Sequence, residues 1–419
     1  MKSNSNGSFF RVTLFLGEDD VTGTVVRVWY SVCISEKDFA LLTSALQDLA
    51  STTELNTLTG GVMEVSANQL SQLKSVWTAW LRLSQRKGPW VEQLRQRANS
   101  SDSEREDGLS RYTHAIPKEH RVSTKYFFDT GIFHSTTDST ELTRQNSTLT
   151  GRGFHQLSVN SDFHYSIPAD VLPFTGWDYK TVKKTCHANS LPKMYTLYLS
   201  QILQKSFEKL SIEQVKFQFV LCDFLNVAAS LPTDLRYDRI TTSNLWDYYP
   251  LTVLLTKFRG YLNGTNPHAI MLTETDSWPR DFMPEIIHLL PYVFGIDDLC
   301  NRALKDTGNP KLVHSSGLST VVEYLNLTDE FCMFLRASLL ASCTDKELAS
   351  FKRKKKIPSV KSLVSSLGLH LRDFIRNENT VFPFRWALNC RRVVMLRGYE
   401  RALEWKLTHA DSEAQAAKE

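Results

Sequence analysis

Polar residues that follow apolar, strand-like runs are the positions of this chain that could do chemistry. Asp223 follows FQFVLC, Ser243 and Asn244 follow YDRITT, and Glu274 follows AIMLT. In an open α/β sheet, ligands bind beyond the carboxyl ends of the strands, so these side chains would face one site. Asp223 could accept a hydrogen bond from an adenine amino group there, and Ser243 and Asn244 would lie where a methyl donor meets its acceptor.

A structural role competes with this chemistry at each of these positions. Asp and Asn after a strand cap the following helix more often than they touch a ligand. Asp238, within YDRI, is expected to fix a loop through its carboxylate rather than to transfer protons. No residue is therefore assigned as catalytic, and Asp223, Ser243 and Asn244 are candidate cofactor-binding residues only if a nucleotide cofactor binds.

The glycine-rich turn that would hold such a cofactor is not found. Nucleotide and methyl-donor pockets need closely spaced glycines at the end of a first strand, because only glycine lets the backbone approach the ligand at a helix N-terminus. Gly151-Arg152-Gly153 follows a Ser/Thr-rich loop instead of an apolar strand. No acidic residue that would hold the ribose hydroxyls ends a second strand. The sequence therefore predicts no cofactor.

The elements that position these residues predict an α/β fold. Residues 215–275 alternate as strand, helix, strand, helix, strand, which is typical of a partial Rossmann-like, methyltransferase-like central sheet. A helical N-terminal insertion and a helical C-terminal region are expected around it. The predicted domains are residues 1–98 with strands and helices, 99–160 with mobile polar loops around a short ordered piece, 161–278 with the α/β core, 279–408 with mainly helices, and 409–419 with a disordered tail.

Local signals predict further elements. Phe9–Leu16 and Thr24–Ile34 read as strands because they are rich in β-branched and aromatic residues. Ser35 with Asp38, and Ser66 with Gln69, mark two helix starts. Another helix should follow Trp177. The runs 99–110 and 134–150 are too polar to be ordered, whereas STKYFFDTGIF between them should pack onto a core.

Composition indicates a protein of the cytoplasm. The net charge is +4 over 419 residues, and the sequence shows neither a signal peptide nor an apolar run of membrane-spanning length. Seven cysteines form no CxxC pair, which fits a reducing compartment. The local group of possible metal ligands, His155, His164, Cys186 and His187, matches no zinc pattern. The basic run Lys352–Lys356 is interpreted as a solvated helix end, so nucleic acid is a minor alternative as partner.

Three segments resemble a known family. They are D-R-I-x-x-S-N-x-x-D from Asp238 to Asp247, NPHA from Asn266 to Ala269, and GYERALEW from Gly398 to Trp405. They resemble the uncharacterised domain shared by dynein axonemal assembly factors and MYND-finger proteins, and the resemblance extends more weakly from about residue 25 to residue 407. It implies a methyltransferase-like fold and either cytoplasmic protein assembly or an unassigned role, and it implies no catalytic residue. The glycine-loop half and the MYND finger of that family are not found in this chain.

Three functions follow from these observations. The first is a non-catalytic intracellular assembly or interaction factor with protein partners and no membrane contact, built on a degenerate methyltransferase-like sheet. The alternative is an S-adenosylmethionine-dependent methyltransferase with an atypical cofactor loop, in which Asp223 and Asn244 line one concave pocket. A third is a nuclear or nucleic-acid-associated factor that uses Lys352–Lys356.

Overall fold

The structure is a computed structural model, and its chain forms two compact units. It describes residues 19–100, 113, 116–134, 141–151, 163–167, 173–174, 177–212, 215–220, 222–223, 226–227, 231, 234–279, 298, 301, 327–373, 376, 378–379 and 400–408. Described residues up to 220 belong to the first unit and those from 222 onwards to the second. This division falls inside the range 161–278, for which the sequence predicts one α/β core.

The first unit is mainly helical. The helices that the described residues form here are α1 (Asp19–Tyr30), α2 (Glu36–Ser51), α3 (Leu55–Leu58), α4 (Ala67–Ser84), α5 (Trp90–Ser100), α6 (Lys118–Thr130), α7 (Tyr179–Thr185) and α8 (Leu191–Ile212). Its strands are short: β1 (Cys33–Ile34) pairs antiparallel with β3 (Arg144–Gln145), β2 (Met63–Glu64) pairs parallel with β6 (Phe217–Gln218), and β4 (Thr150–Gly151) pairs antiparallel with β5 (His164–Tyr165).

Both predicted helix starts in this unit are confirmed. The Ser35 hydroxyl accepts a hydrogen bond from the Asp38 amide at the start of α2. At the start of α4, Ser66 and Gln69 each accept from the other's backbone amide, which is the reciprocal arrangement that satisfies two free donors. The helix predicted after Trp177 is α8.

Aromatic side chains fill the centre of the first unit. Phe133, Phe174 and Tyr195 are buried and lie within 6.2 Å of one another, ring centre to ring centre. Phe127 of α6 makes an edge contact with Phe133 at 5.2 Å. The segment STKYFFDTGIF is thus packed onto the core, as its apolar residues predict.

The strand predicted over Thr24–Ile34 is wrong over most of its length. Thr24–Tyr30 is the C-terminal part of helix α1, and only Cys33–Ile34 of the predicted strand is extended. Thr22 and Val26, one helical turn apart, are both buried, so tertiary packing of one helical face outweighs the strand preference of the β-branched residues. The other predicted strand, Phe9–Leu16, lies outside the described residues.

The loop predicted over 134–150 is structured in its second half. Asn146 is fully buried, and its side-chain amide donates to the carbonyl oxygens of Val28 and Ser31 at 2.8 and 2.9 Å. Its backbone amide donates to Val32. Polar residues are ordered here because their hydrogen-bond partners come from α1 and β1, more than 100 residues earlier in the chain.

The second unit contains a mixed four-stranded sheet. Its elements in the described part of the chain include β7 (Arg239–Thr241), a 3-10 helix (Ser243–Asp247), α9 (Leu251–Arg259), β8 (Ile270–Thr275), α10 (Thr328–Leu340), α11 (Asp345–Arg353), α12 (Val360–Ser365), β9 (Leu369–Leu371) and β10 (Arg401–Leu407). The strand order is β7-β8-β10-β9. β7 and β8 are parallel, whereas β10 runs antiparallel to both of its neighbours. The core beside this sheet includes Trp246, Trp278, Phe331 and Trp405.

The prediction of a helical C-terminal region is wrong for two segments, which are strands. Residues 369–371 and 401–407 form β9 and β10, although Ala, Leu, Glu and Lys in RALEWKL favour a helix. Every side chain from Arg401 to Trp405 is buried, so pairing on both edges and packing on both faces outweigh local propensity. The chain is thus of mixed α and β content, as predicted at that level.

Candidate functional site

The carboxyl ends of β7 and β8 lie side by side. The two strands pair in register from Arg239 with Ile270 to Thr241 with Leu272. The Thr242 amide then donates to the Leu272 carbonyl oxygen at 3.0 Å. Ser243 and Asn244, after β7, therefore begin where a doubly wound sheet binds its ligand.

Asp247 joins these two strand ends. Its carboxylate accepts hydrogen bonds from the Thr275 hydroxyl at 2.5 Å and from the Asp276 and Ser277 amides at 3.3 and 3.4 Å. Burial acts to raise the pKa of Asp247, but the hydrogen bonds from Asp276, Thr275 and Ser277 outweigh it and hold the pKa below its ordinary value. The charged carboxylate is thus engaged in fixing the chain that leaves β8.

Ser243 and Asn244 present their side chains to solvent. Ser243 has φ of 48°, in the left-handed region that non-glycine residues rarely adopt, and Asn244 departs from helical backbone angles. Both residues are exposed, and no hydrogen bond to another described residue engages either side chain. A strained residue at a strand end is held there by its surroundings and is common at ligand sites.

Asp238 fixes a loop, as the sequence predicts. Its carboxylate accepts hydrogen bonds from the side-chain amides of Asn263 and Asn266, both at 2.8 Å. These bonds hold the pKa of Asp238 below its usual value. The oxygens of the same two side chains accept from the amides of Thr265 and His268, so one exposed carboxylate orders the whole connection that leads into β8.

Asp223 does not extend this site in the way the sequence predicts. FQFVLC was expected to be a neighbouring strand of the sheet, but only Phe217–Gln218 is a strand, and it pairs with β2 of the first unit. Asp223 is exposed, and its carbonyl oxygen accepts from the Asn226 amide in a turn. No hydrogen bond joins Asp223 to Ser243 or Asn244 among the described residues. An apolar run shows that a segment can be a strand but not which strand it pairs with.

Sequence analysis predicts that Glu274 follows a strand, and the structure corrects this position. It lies within β8 and not after it, and it pairs with Ala402 of β10. The side chain is half-buried, and burial raises its pKa above the ordinary value. A carboxyl group with a raised pKa near strand ends is suited to proton transfer.

The three segments that carry the family resemblance lie in or beside this sheet, and the first two contact each other directly. Asn266 of NPHA donates to Asp238, Asp247 accepts from the end of β8, and the Trp405 indole donates to the Thr273 hydroxyl at 2.9 Å. Each of these residues holds one strand or loop to the next. Their side chains thus have structural roles that explain their presence without a ligand.

Other candidates are placed as follows. The basic run Lys352–Lys356 is exposed at the C-terminal end of α11, the position where cations are favoured by the helix dipole.

Within the described residues, no three His, Cys, Asp or Glu side chains form a group that could hold a metal ion, and His155 lies outside them. None of the described helices is long and apolar enough to span a membrane.

Two buried polar networks of the first unit were not predicted as such. Arg27 of α1 forms a two-pronged ion pair with Asp38, with both N–O distances 2.7 Å, and Thr24 donates to the same carboxylate. His120 is buried, with Nδ1 3.0 Å from the Asn189 carbonyl oxygen and Nε2 2.8 Å from the Tyr179 hydroxyl. The predicted helix start at Ser35 includes Asp38, whereas no local sequence signal indicates Arg27 or His120.

A groove of about 560 Å³ runs along α4. It is lined by Ser71, Lys74, Ser75, Thr78, Arg82 and Phe163, so its walls carry hydroxyl and cationic groups. The Lys74 ammonium donates to the Thr52 carbonyl oxygen, which ties one of the two cations to the backbone. None of the residues that the sequence predicts as a site lines this groove.

Comparison of the chain with protein-family models, with curated proteins and with solved structures gives no match.

Proposed function

We propose that this protein is a non-catalytic assembly or interaction factor that binds other proteins. The observation that carries the proposal is the use of the acidic side chains around the ends of the β7–β8 pair. Asp247 accepts three hydrogen bonds from the end of β8, and Asp238 orders the loop before β8. Both carboxylates are thus engaged in holding the chain together, which favours a structural role for this part of the sheet.

The proposal includes a methyltransferase-like ancestry for the sheet. β7, α9 and β8 form a parallel strand-helix-strand unit, and β10, the last strand among the described residues, lies antiparallel between β8 and β9. The parallel strand-helix-strand unit supports this ancestry. The sheet is partial because the segment FQFV, expected to add a strand to it, contributes β6 to the first unit instead.

The resemblance to dynein axonemal assembly factors supports a more specific process. We propose the cytoplasm as the compartment and the assembly of dynein arms as the process in which this protein acts. The support is the position of the three resembling segments in one sheet, since Asn266 of the second bonds to Asp238 of the first, and Trp405 of the third bonds to Thr273 of β8. Co-precipitation of axonemal dynein subunits from cytoplasm tests this process.

A second function is favoured by the strained residue after β7. In a methyltransferase, Ser243 and Asn244 would contact S-adenosylmethionine or its acceptor, and Glu274 would exchange a proton. The left-handed backbone of Ser243 and the raised pKa of Glu274 are the observations in its favour.

Isothermal titration with S-adenosylmethionine and S-adenosylhomocysteine separates the two functions. The non-catalytic proposal expects no binding heat from a sample whose folding is verified by circular dichroism. Binding that is lost in Asn244→Ala and retained in Asn263→Ala would overturn it, because Asn263 holds the neighbouring loop but lies before β8. Asp223→Ala in the same titration tests whether Asp223 belongs to the pocket.

A further inference from the structure

Strand β6 of the first unit has one open edge. Phe217 and Phe219 donate their backbone amides to Val62 and Glu64 of the β2 segment, at 2.7 and 3.4 Å. Backbone groups of a strand alternate between its two edges, so the amide and carbonyl of Gln218 face the opposite side. Among the described residues this sheet has two strands, and none of these residues bonds to Gln218 on that side.

The apolar side chains of β6 and of the two residues that follow it are unusually exposed. The exposed fractions are 42% for Phe217, 50% for Phe219 and 44% for Val220. Parallel strands are normally covered on both faces, and a two-stranded sheet is marginally stable by itself. An open edge with exposed apolar side chains is a surface to which another strand is added.

We propose that the open edge of β6 binds the same edge of a second copy of this chain, in an antiparallel pair centred on Gln218. Residues 216–220 read KFQFV, so this register places aromatic residues opposite each other on both sides of the central Gln218. Phe217 then lies opposite Phe219 of the second copy, and Lys216 lies opposite Val220.

The charges and backbone groups of the segment fit this register. Lys216 is its one charged residue and does not face its own counterpart, so no like charges are opposed. Gln218 faces Gln218 across the two-fold axis as a hydrogen-bonded pair, which uses the outward amide and carbonyl of both copies. The two-stranded sheets of the copies become one four-stranded sheet. This inference goes beyond the proposed function and does not depend on it.

Disulfide trapping in the full chain tests the register. In a Cys222→Ser background, which removes an exposed native thiol, Gln218→Cys should form an interchain disulfide on mild oxidation. A hydrogen-bonded antiparallel pair has Cα atoms about 5.5 Å apart, inside the range that a disulfide spans. Lys216→Cys and Val220→Cys should each fail to cross-link alone and should cross-link when mixed, since each residue is about 14 Å from its own counterpart at about 3.4 Å per residue.

Sedimentation velocity of the wild-type chain supplies an independent readout. We expect a dimer that Gln218→Pro converts to monomer, because proline removes an outward amide while the bonds donated by Phe217 and Phe219 to β2 remain. Val122→Lys, which changes a side chain 72% exposed on α6, should leave the dimer intact. A wild-type chain that is monomeric at every concentration, or Gln218→Cys that fails to cross-link, overturns the proposal. If Gln218→Pro does not fold, the cross-linking pattern decides alone.

Discussion

At the scale of single residues, buried polar groups of the first unit are satisfied by partners from other elements. Asp38 is almost fully buried and is matched by Arg27, Thr24 and Ser35. Burial acts to raise the pKa of Asp38, but the hydrogen bonds and charge of Arg27, with Thr24 and Ser35, lower it to about 2. The folded state thus requires this carboxyl group to be ionised.

We expect Asp38→Asn to lower the free energy of unfolding by about 3 kcal/mol at pH 7, since it leaves the Arg27 charge without its buried partner. Because the folded pKa lies below the unfolded value of about 3.9, the stabilisation is present above pH 4 and is lost as the pH falls towards 2. Urea unfolding at several pH values measures the difference. Asp129→Asn, in the exposed pair with Lys125, is the control and should cost under about 1 kcal/mol. An equal effect of both substitutions would contradict this account.

His120 also makes the stability fall as the pH falls, but at a higher pH than Asp38 does. Its Nδ1 faces a carbonyl oxygen, so Nδ1 carries the proton and Nε2 accepts from Tyr179. Burial lowers the pKa of His120, while the nearby Glu119 and Lys183 form their own ion pair at 2.9 Å. The stabilisation by neutral His120 is therefore present above pH 6.5 and is lost as the pH falls through the lower folded pKa.

We expect the free energy of unfolding to fall between pH 7 and pH 5, and to fall less in His120→Gln, because the substituted side chain does not titrate. Urea unfolding of both proteins over this range gives the two slopes. Tyr179→Phe should cost about 1–3 kcal/mol at pH 7, since it leaves the buried Nε2 without a donor. Identical slopes for wild type and His120→Gln would show that His120 is not neutral by burial.

At the scale of elements, Gln69 connects the start of α4 to strand β6. Its side-chain oxygen accepts from the Ser66 amide, and its nitrogen donates to the Phe219 carbonyl oxygen at 3.2 Å. One side chain thus completes a helix cap and holds the strand next to β2. The sequence marked the cap, whereas the contact with β6, 150 residues later, depends on the fold.

We expect Ser66→Ala to cost about 1 kcal/mol through the loss of the cap. In hydrogen exchange, it should raise the exchange rate at the start of α4 alone, whereas Gln69→Ala should raise it both there and at residues 217–220. Thr344→Ala, in the matching cap of α11, is the control and should affect neither region. Unchanged exchange at 217–220 in Gln69→Ala would show that the Phe219 contact does not hold the strand.

At the scale of the whole molecule, each unit has its own core and its own buried ion pair. In the second unit, Arg372 contacts Glu404 at 2.7 Å, and Glu404 is fully buried on β10. In the first unit, the corresponding buried ion pair is that of Arg27 with Asp38. The two pairs therefore report on the two units separately.

We expect Glu404→Gln to lower the free energy of unfolding by about 3–5 kcal/mol, because it leaves the Arg372 charge poorly compensated. Hydrogen exchange should rise in β8, β9 and β10 and stay unchanged in α1 and α2, and Asp38→Asn should give the reverse pattern. A matched surface control is Glu347→Gln on α11, whose exposed carboxylate bonds to Thr344 in the helix cap, a contact that the glutamine oxygen can also make. Loss of protection in both units from either substitution would show that they unfold together.

The sequence by itself determined the features that depend on neighbours along the chain. The helix starts at Ser35 and Ser66 and the long helix α8 follow from residues a few positions apart, for which spacing is sufficient information. Only tertiary structure decided the rest. Thr24–Tyr30 is helical, RALEWKL is a central strand, and FQFV pairs with β2, because burial and strand pairing with distant residues outweigh local preference. The same holds for the candidate site. That Asp247 and Ser243 lie near the end of β8 follows from the parallel pairing of the strands. That the Asp247 carboxylate accepts three hydrogen bonds from the chain after β8 could not be read from the sequence.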